Sequence, residues 1–118
     1  MKKTLLLMLL LVPWIFAAET CRTVRCRVTA YCPCAVCTDG DGLTSIGDDA
    51  YVLDGVATDP KRLPYRTRLR LPGVGIREVD DTGSTMKRGK TLRIDLRMAT
   101  HAEALEWGVQ YLEVEILE

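Results

Sequence analysis

Two carboxylates stand out as chemistry-bearing groups: Asp81, in Val79-Asp80-Asp81-Thr82-Gly83, and Asp95, in Arg93-Ile94-Asp95. They fall at the ends of what read as two neighbouring strands, joined by a loop rich in Gly, Thr and Lys. Paired acids so presented suit the breaking of a glycosidic bond. One carboxyl group protonates the leaving oxygen, and another negative group supports the oxocarbenium-like charge left behind. The same residues have a plain structural reading. Asp-Thr-Gly is a common turn, and an Asp flanked by Arg93 and Arg97 is often one half of a solvated ion pair. Asp59, before Pro60, is a third carboxylate at a strand end, where turn initiation is the alternative role.

The elements that must hold these residues are short and mostly extended. Arg25 to Tyr31 alternates, with Cys26, Val28 and Ala30 on one face. Gly55 to Thr58 makes a strand that stops at Pro60, which has no N–H to donate. Thr67 to Leu71 alternates until Pro72-Gly73 turns the chain, and Ile76 to Asp81 follows. Thr91 to Met98 sets Leu92, Ile94, Leu96 and Met98 on one face and Arg93, Asp95 and Arg97 on the other, so Asp95 points away from the core. Thr100-His101-Ala102-Glu103 is a capping box opening a helix to Trp107, ended by Gly108. His101, the single histidine, reads as an exposed bystander on that first turn. Tyr111 to Leu117 is the last strand. Six short strands, one helix and no βαβ pattern predict a small closed barrel. Between the first two strands, Cys32 to Asp49 is a long loop. Its Asp39-Gly40-Asp41-Gly42 has no Glu to close a calcium-binding frame and is read as turn chemistry.

The chain has 118 residues. Met1-Lys2-Lys3, an apolar run of roughly 13 residues broken by Pro13, and Ala17-Ala18 predict a secretory signal over 1–18, cut within a few residues of Ala18. No stable membrane span is expected once it is removed. A lipid-modified Cys21 is disfavoured by Glu19-Thr20 before it. The remainder suffices for one core, divided into a Cys-rich lead-in with the first strand (19–38) and a barrel domain (25–118). The 16 acidic and 16 basic residues cancel, so nothing points to nucleic acid or to anionic lipid. All five cysteines, Cys21, Cys26, Cys32, Cys34 and Cys37, lie together. In an exported chain this predicts disulfides pinning the lead-in to the barrel. The alternative is zinc on Cys32, Cys34 and Cys37 with Cys26 as fourth ligand. No cofactor and no metal ligands are assigned.

Val28-Thr29-Ala30-Tyr31-Cys32-Pro33-Cys34, Gly55-Val56-Ala57-Thr58-Asp59-Pro60, Leu63-Pro64-Tyr65-Arg66-Thr67, Val79-Asp80-Asp81-Thr82-Gly83, Arg93-Ile94-Asp95 and Ala104-Leu105-Glu106-Trp107-Gly108, in that order, resemble the bacterial three-aspartate (3D) domain. The resemblance covers nearly the whole chain after the signal. It implies an all-β, six-stranded double-psi β-barrel related to rare-lipoprotein-A-like proteins, expansins and the catalytic domain of the membrane-bound lytic transglycosylase A. It also implies cleavage of the β-1,4 bond between N-acetylmuramic acid and N-acetylglucosamine in peptidoglycan, leaving a 1,6-anhydro end. The partner would be peptidoglycan glycan strands, met in the periplasm, at the outer membrane, or outside the cell in the wall. The three aspartates of the family fall on Asp59, Asp81 and Asp95. Two departures stand out: Arg66 where the family commonly has Gly, and a loop from Asp81 to Asp95 longer by a few residues around Met86 to Thr91.

In the expected mechanism Asp95, desolvated and so raised in pKa, acts as general acid and then base. Asp81 stays ionised and supports the transition state, and Asp59 completes an acidic floor. Tyr31, Thr82 and Gly83 line the cleft, with the Tyr31 ring facing a pyranose. If Asp81 directs a water instead, the outcome is hydrolysis. Two non-catalytic alternatives are a wall-binding or wall-loosening module, and an exported domain whose aspartates only cap turns.

Overall fold

The computed structural model describes residues 21–117. The signal-peptide expectation over 1–18 lies outside the described residues. The chain forms β1 (Arg22–Tyr31), β2 (Gly55–Thr58), β3 (Arg68–Leu71), β4 (Gly75–Thr82), β5 (Leu92–Arg97), α1 (His101–Trp107) and β6 (Gln110–Leu117), with a 3₁₀ turn at Ser84–Lys87. The strands close in the order β1-β5-β2-β4-β3-β6. β1 with β5 and β2 with β4 run parallel, and the remaining neighbours run antiparallel. The expected closed six-stranded barrel with a short helix before its last strand is the observed fold, and its mixed topology is compatible with a double-psi barrel.

Alternation drives the closure. Cys26 and Val28 of β1, Val56 of β2, Leu69 and Leu71 of β3, Val79 of β4, Ile94 and Leu96 of β5, and Val114 and Ile116 of β6 point inward and are buried. Burying each such aliphatic side chain is worth about 1.5–3 kcal/mol, and closing the sheet leaves no long unpaired edge. The β3–β4 turn needs left-handed backbone, which Gly73 at φ 73° supplies. Thr100 Oγ accepts the Glu103 N–H at 3.1 Å to start α1, and Gly108 at φ 66° ends it. Trp107 Nε1 donates to the Val28 carbonyl at 3.1 Å, which ties the helix to β1.

Three expectations are corrected. The disulfides are not formed: Cys21, Cys26, Cys32, Cys34 and Cys37 are all free. The zinc alternative with Cys26 also fails, because alternation turns Cys26 into the core, fully buried. Burial there pushes its thiol up to about 11. Third, Arg97 does not face solvent with Arg93. It is 2% exposed, because the 50–54 turn covers this flank and offers the Val52 carbonyl to its Nε and Nη2.

Arg66 is the one non-glycine residue with positive φ among those described, at 74°, which accounts for the glycine at this position in the family it resembles. Left-handed backbone costs an L-residue about 1–2 kcal/mol. Two partners offset that cost: the Arg66 guanidinium pairs with Asp48 at 2.6 Å and Glu78 at 2.8 Å. The hydrogen bond from Arg66, helped by the positive charges of Arg66 and Arg97, holds Asp48 below the usual carboxylate range against the opposing effect of burial.

Candidate functional site

The site lies on the outer flank of the barrel, where three strands meet in register. Ala57 of β2 pairs with Asp95 of β5 on one side and with Asp81 of β4 on the other, and Asp95 pairs with Thr29 of β1. Thr29, Asp95, Ala57 and Asp81 thus form one row across the sheet. The smallest of these side chains, Ala57, stands between the acids and leaves a hollow. Adjacent strands are about 4.8 Å apart, so two steps place the acids within one sugar-sized span.

Asp81 reaches this row because the β2–β4 ladder is irregular. Val56 faces Val79, but Ala57 faces Asp81, so Asp80 is an extra residue in β4. Such a bulge re-aims side chains. It delivers both carboxylates, Asp80 and Asp81, to the same polar network, although simple alternation sends neighbours to opposite faces.

The two acids have different jobs in that network. Asp80 is buried and grips Arg97 with both oxygens, at 2.8 and 2.6 Å. Gly55 makes this possible: a Cβ there would overlap the Asp80 carboxylate and the Arg97 guanidinium. Arg97 Nη1 also donates to the Tyr31 hydroxyl at 3.1 Å, and that hydroxyl donates to Asp81 Oδ2 at 2.7 Å. Asp81 Oδ1 accepts the Ser45 N–H at 3.0 Å, the Ser45 hydroxyl, and the Thr82 N–H at 2.9 Å. Four donors therefore converge on Asp81, as suits an ionised, acceptor-only carboxylate. Burial, followed by the hydrogen bond to Asp81, raises the Tyr31 phenol far above its ordinary range, so it remains a donor.

Asp95 is held differently. Among the described residues its hydrogen-bond donor is Thr29, whose hydroxyl reaches Oδ1 at 3.0 Å. Its carboxyl is pushed up to about 6, chiefly by burial and further by the charge of Asp81, while Thr29 and Arg27 pull the other way. An acid with this pKa is partly protonated near neutrality and can both give and take a proton.

These groups open into a cleft of ≈ 430 Å³ whose wall includes Tyr31, Ala57, Asp81, Thr82, Gly83 and Asp95. Ser45 closes one side and the buried Met86 of the 3₁₀ turn the other. A slightly larger hollow of ≈ 490 Å³ lies elsewhere, between Arg62, Pro64, Arg66 and Leu117. It carries no acid, so chemistry rather than size singles out the cleft.

Five of the six residues expected at the site are therefore together: Asp95, Asp81, Tyr31, Thr82 and Gly83. Asp59 does not line the cleft. Its oxygens accept the Lys61 N–H at 3.1 Å and Arg62 Nε at 3.2 Å, so it caps the turn after β2. The shared groove of all three aspartates is not formed. Tyr31 is 8% exposed and packs with Ala57 and Met86, so its hydroxyl, not its ring face, serves the site. Thr82 directs its own hydroxyl to the Thr58 carbonyl at 2.7 Å. Sequence reading missed Thr29, Ser45 and Arg97. Thr29 sits one residue from the inward-facing Val28, so its place on the outer face was available from the alternation. Ser45 gave no signal within its irregular loop.

No family model matches the chain, and no curated protein matches it.

Proposed function

We propose that the chain cleaves the β-1,4 bond between N-acetylmuramic acid and N-acetylglucosamine in peptidoglycan, by the lytic route that leaves a 1,6-anhydro end, as a three-aspartate-type double-psi barrel acting in cell-wall turnover outside the cytoplasm. The observation that carries this reading is a half-buried carboxyl, Asp95, with its pKa raised to about 6, sharing one cleft with a second carboxylate. Asp95 donates its proton to the leaving O4 of N-acetylglucosamine. The C1–O4 bond breaks, and the muramic C6 hydroxyl attacks C1 while returning its proton to Asp95. One acid then serves both halves of the reaction.

Asp81 stabilises the developing positive charge. Three of its four donors sit on Oδ1 and the fourth on Oδ2, which leaves little lone-pair capacity to activate a water. That favours the intramolecular C6 hydroxyl over hydrolysis. Asp59 has no part in this scheme beyond shaping the turn.

Mass spectrometry of sacculus digests made with the wild type and with Asp95→Asn tests the proposal. Fragments with 1,6-anhydro ends, lighter by one water than hydrolysed ends, should appear with the wild type and vanish with the variant. Hydrolysed ends would replace the lytic route by a water-dependent one. Tight binding to sacculi with no soluble fragments at any pH would leave a glycan-binding module.

A further inference from the structure

A second cluster lies beside the cleft and takes no part in the scheme above. Cys32, Cys34, Cys37 and His101 bring three sulfurs and one ring nitrogen within 4.8 Å of one another. The groups come from two places: the turn after β1 and the first residue of α1. The turn is preformed, since the Cys34 carbonyl accepts the N–H of Cys37 at 3.1 Å and of Thr38 at 2.9 Å. The Thr38 hydroxyl adds a third bond to that carbonyl at 3.0 Å. Closing the turn in this way sends the Cys34 and Cys37 side chains to the same side.

We propose that Cys32, Cys34, Cys37 and His101 form a structural site for one zinc ion, bound through three thiolates and His101 Nδ1. Three sulfurs and an imidazole match the preference of zinc for soft and borderline ligands in tetrahedral order. With Zn–S near 2.3 Å and Zn–N near 2.0 Å, ligand atoms in a tetrahedron stand ~3.4–3.8 Å apart. Cys32–Cys37 at 3.5 Å and Cys37–His101 at 3.2 Å lie close to this, and Cys32–His101 is 4.0 Å. Cys32–Cys34 at 2.7 Å is a short edge that has to lengthen when an ion sits between the two sulfurs. Four protein ligands leave no open position for substrate, which makes the site structural.

The consequence reaches the cleft. Cys37 lines it and packs against the cluster of Tyr31, Ala57 and Met86. Zinc would fasten that wall to α1, across a separation of 64 positions in the chain, where the closing entropy is large. Binding releases the thiol protons, so affinity falls as the solution is made acidic.

Full-length chain, kept reduced and then given one equivalent of zinc chloride, should carry about one ion by elemental analysis and native mass spectrometry. Cobalt(II) in place of zinc should give the thiolate-to-metal absorption of a tetrahedral site. Cys21→Ser and Asp95→Asn should keep the full stoichiometry, the latter showing that the site stands apart from the glycan reaction. Cys37→Ser should lose the ion. His101→Ala, a milder change at the helix surface, should weaken binding at least about tenfold. The proposal is overturned by an ion-free wild type, by His101→Ala and Cys37→Ser binding zinc as tightly as the wild type, or by a disulfide between any two of Cys32, Cys34 and Cys37 in the exported protein.

Discussion

Asp80 and Asp95 are both carboxylates on the outer flank of one barrel, and they are handled in opposite ways. Asp80 meets Arg97 with two short bonds, and Arg97 has further partners in Val52 and Tyr31. Every oxygen and most N–H groups of that pair are matched, so its charge is locked into the fold. Asp95 is half-buried with one hydroxyl donor and a neighbouring negative charge. Among the described residues no ion pair is formed by it, Arg27 acting only at a distance, so its proton is the variable. Paired charge here makes structure, and unpaired desolvated charge makes a reactive group.

The sharpest way to break this contrast is at Asp95 itself. Asp95→Asn keeps the size and the Thr29 hydrogen bond but removes the transferable proton. Release of soluble glycan fragments from sacculi should fall by about 10²–10⁴-fold while circular dichroism stays unchanged. Equal turnover would remove Asp95 from the mechanism. At the other pole, Arg97→Leu strands the Asp80 carboxylate and should cost about 3–5 kcal/mol in urea unfolding. The double variant Asp80→Leu with Arg97→Leu should recover most of that. If the single and double variants are equally unstable, the pair is not the unit described.

A pH titration sharpens the comparison further. The folded-state pKa of Asp95 is raised to about 6, so the folded state holds its proton over a range where the unfolded chain has released it. The group therefore costs no stability below the unfolded value, near pH 4, and costs progressively more as pH rises to about 6, with a plateau above. Asp95→Asn should remove this dependence and stabilise the protein at pH 7 by on the order of 2–3 kcal/mol. Activity should decline as pH rises through about 6, since the first step needs the acid form. Smaller still, Tyr31→Phe deletes one donor to Asp81 and one acceptor for Arg97 and should lower turnover several-fold, about 0.5–1.5 kcal/mol. A Tyr31→Phe variant of full activity would show that the link between the two regions is ornamental.

The strands, the helix cap and Asp95's outward face were legible because alternation and capping are local rules, and β5 and α1 obey them. Asp81, singled out from the sequence, lines the cleft, but alternation cannot say why it, and not Asp80, does so. The reason is the bulge, which depends on how β4 pairs with β2 across the barrel. The enclosure of Arg97 is hidden for a similar reason: alternation gives its place on the outer face, and the 50–54 turn that covers it is remote in sequence. Asp59 followed its local chemistry, an Asp before Pro60 that caps a turn, and not the place the resemblance gives it. His101 reads as a bystander from the sequence alone, since nothing there shows that the cysteine turn comes to rest against the start of α1.

The extra residue opposite Ala57 has one last consequence. It lets a two-letter stretch, Asp80-Asp81, satisfy two clients at once, Arg97 and Tyr31. Deleting either aspartate would straighten the ladder and leave one acid for both, so that chain would have to choose between standing firm and doing chemistry.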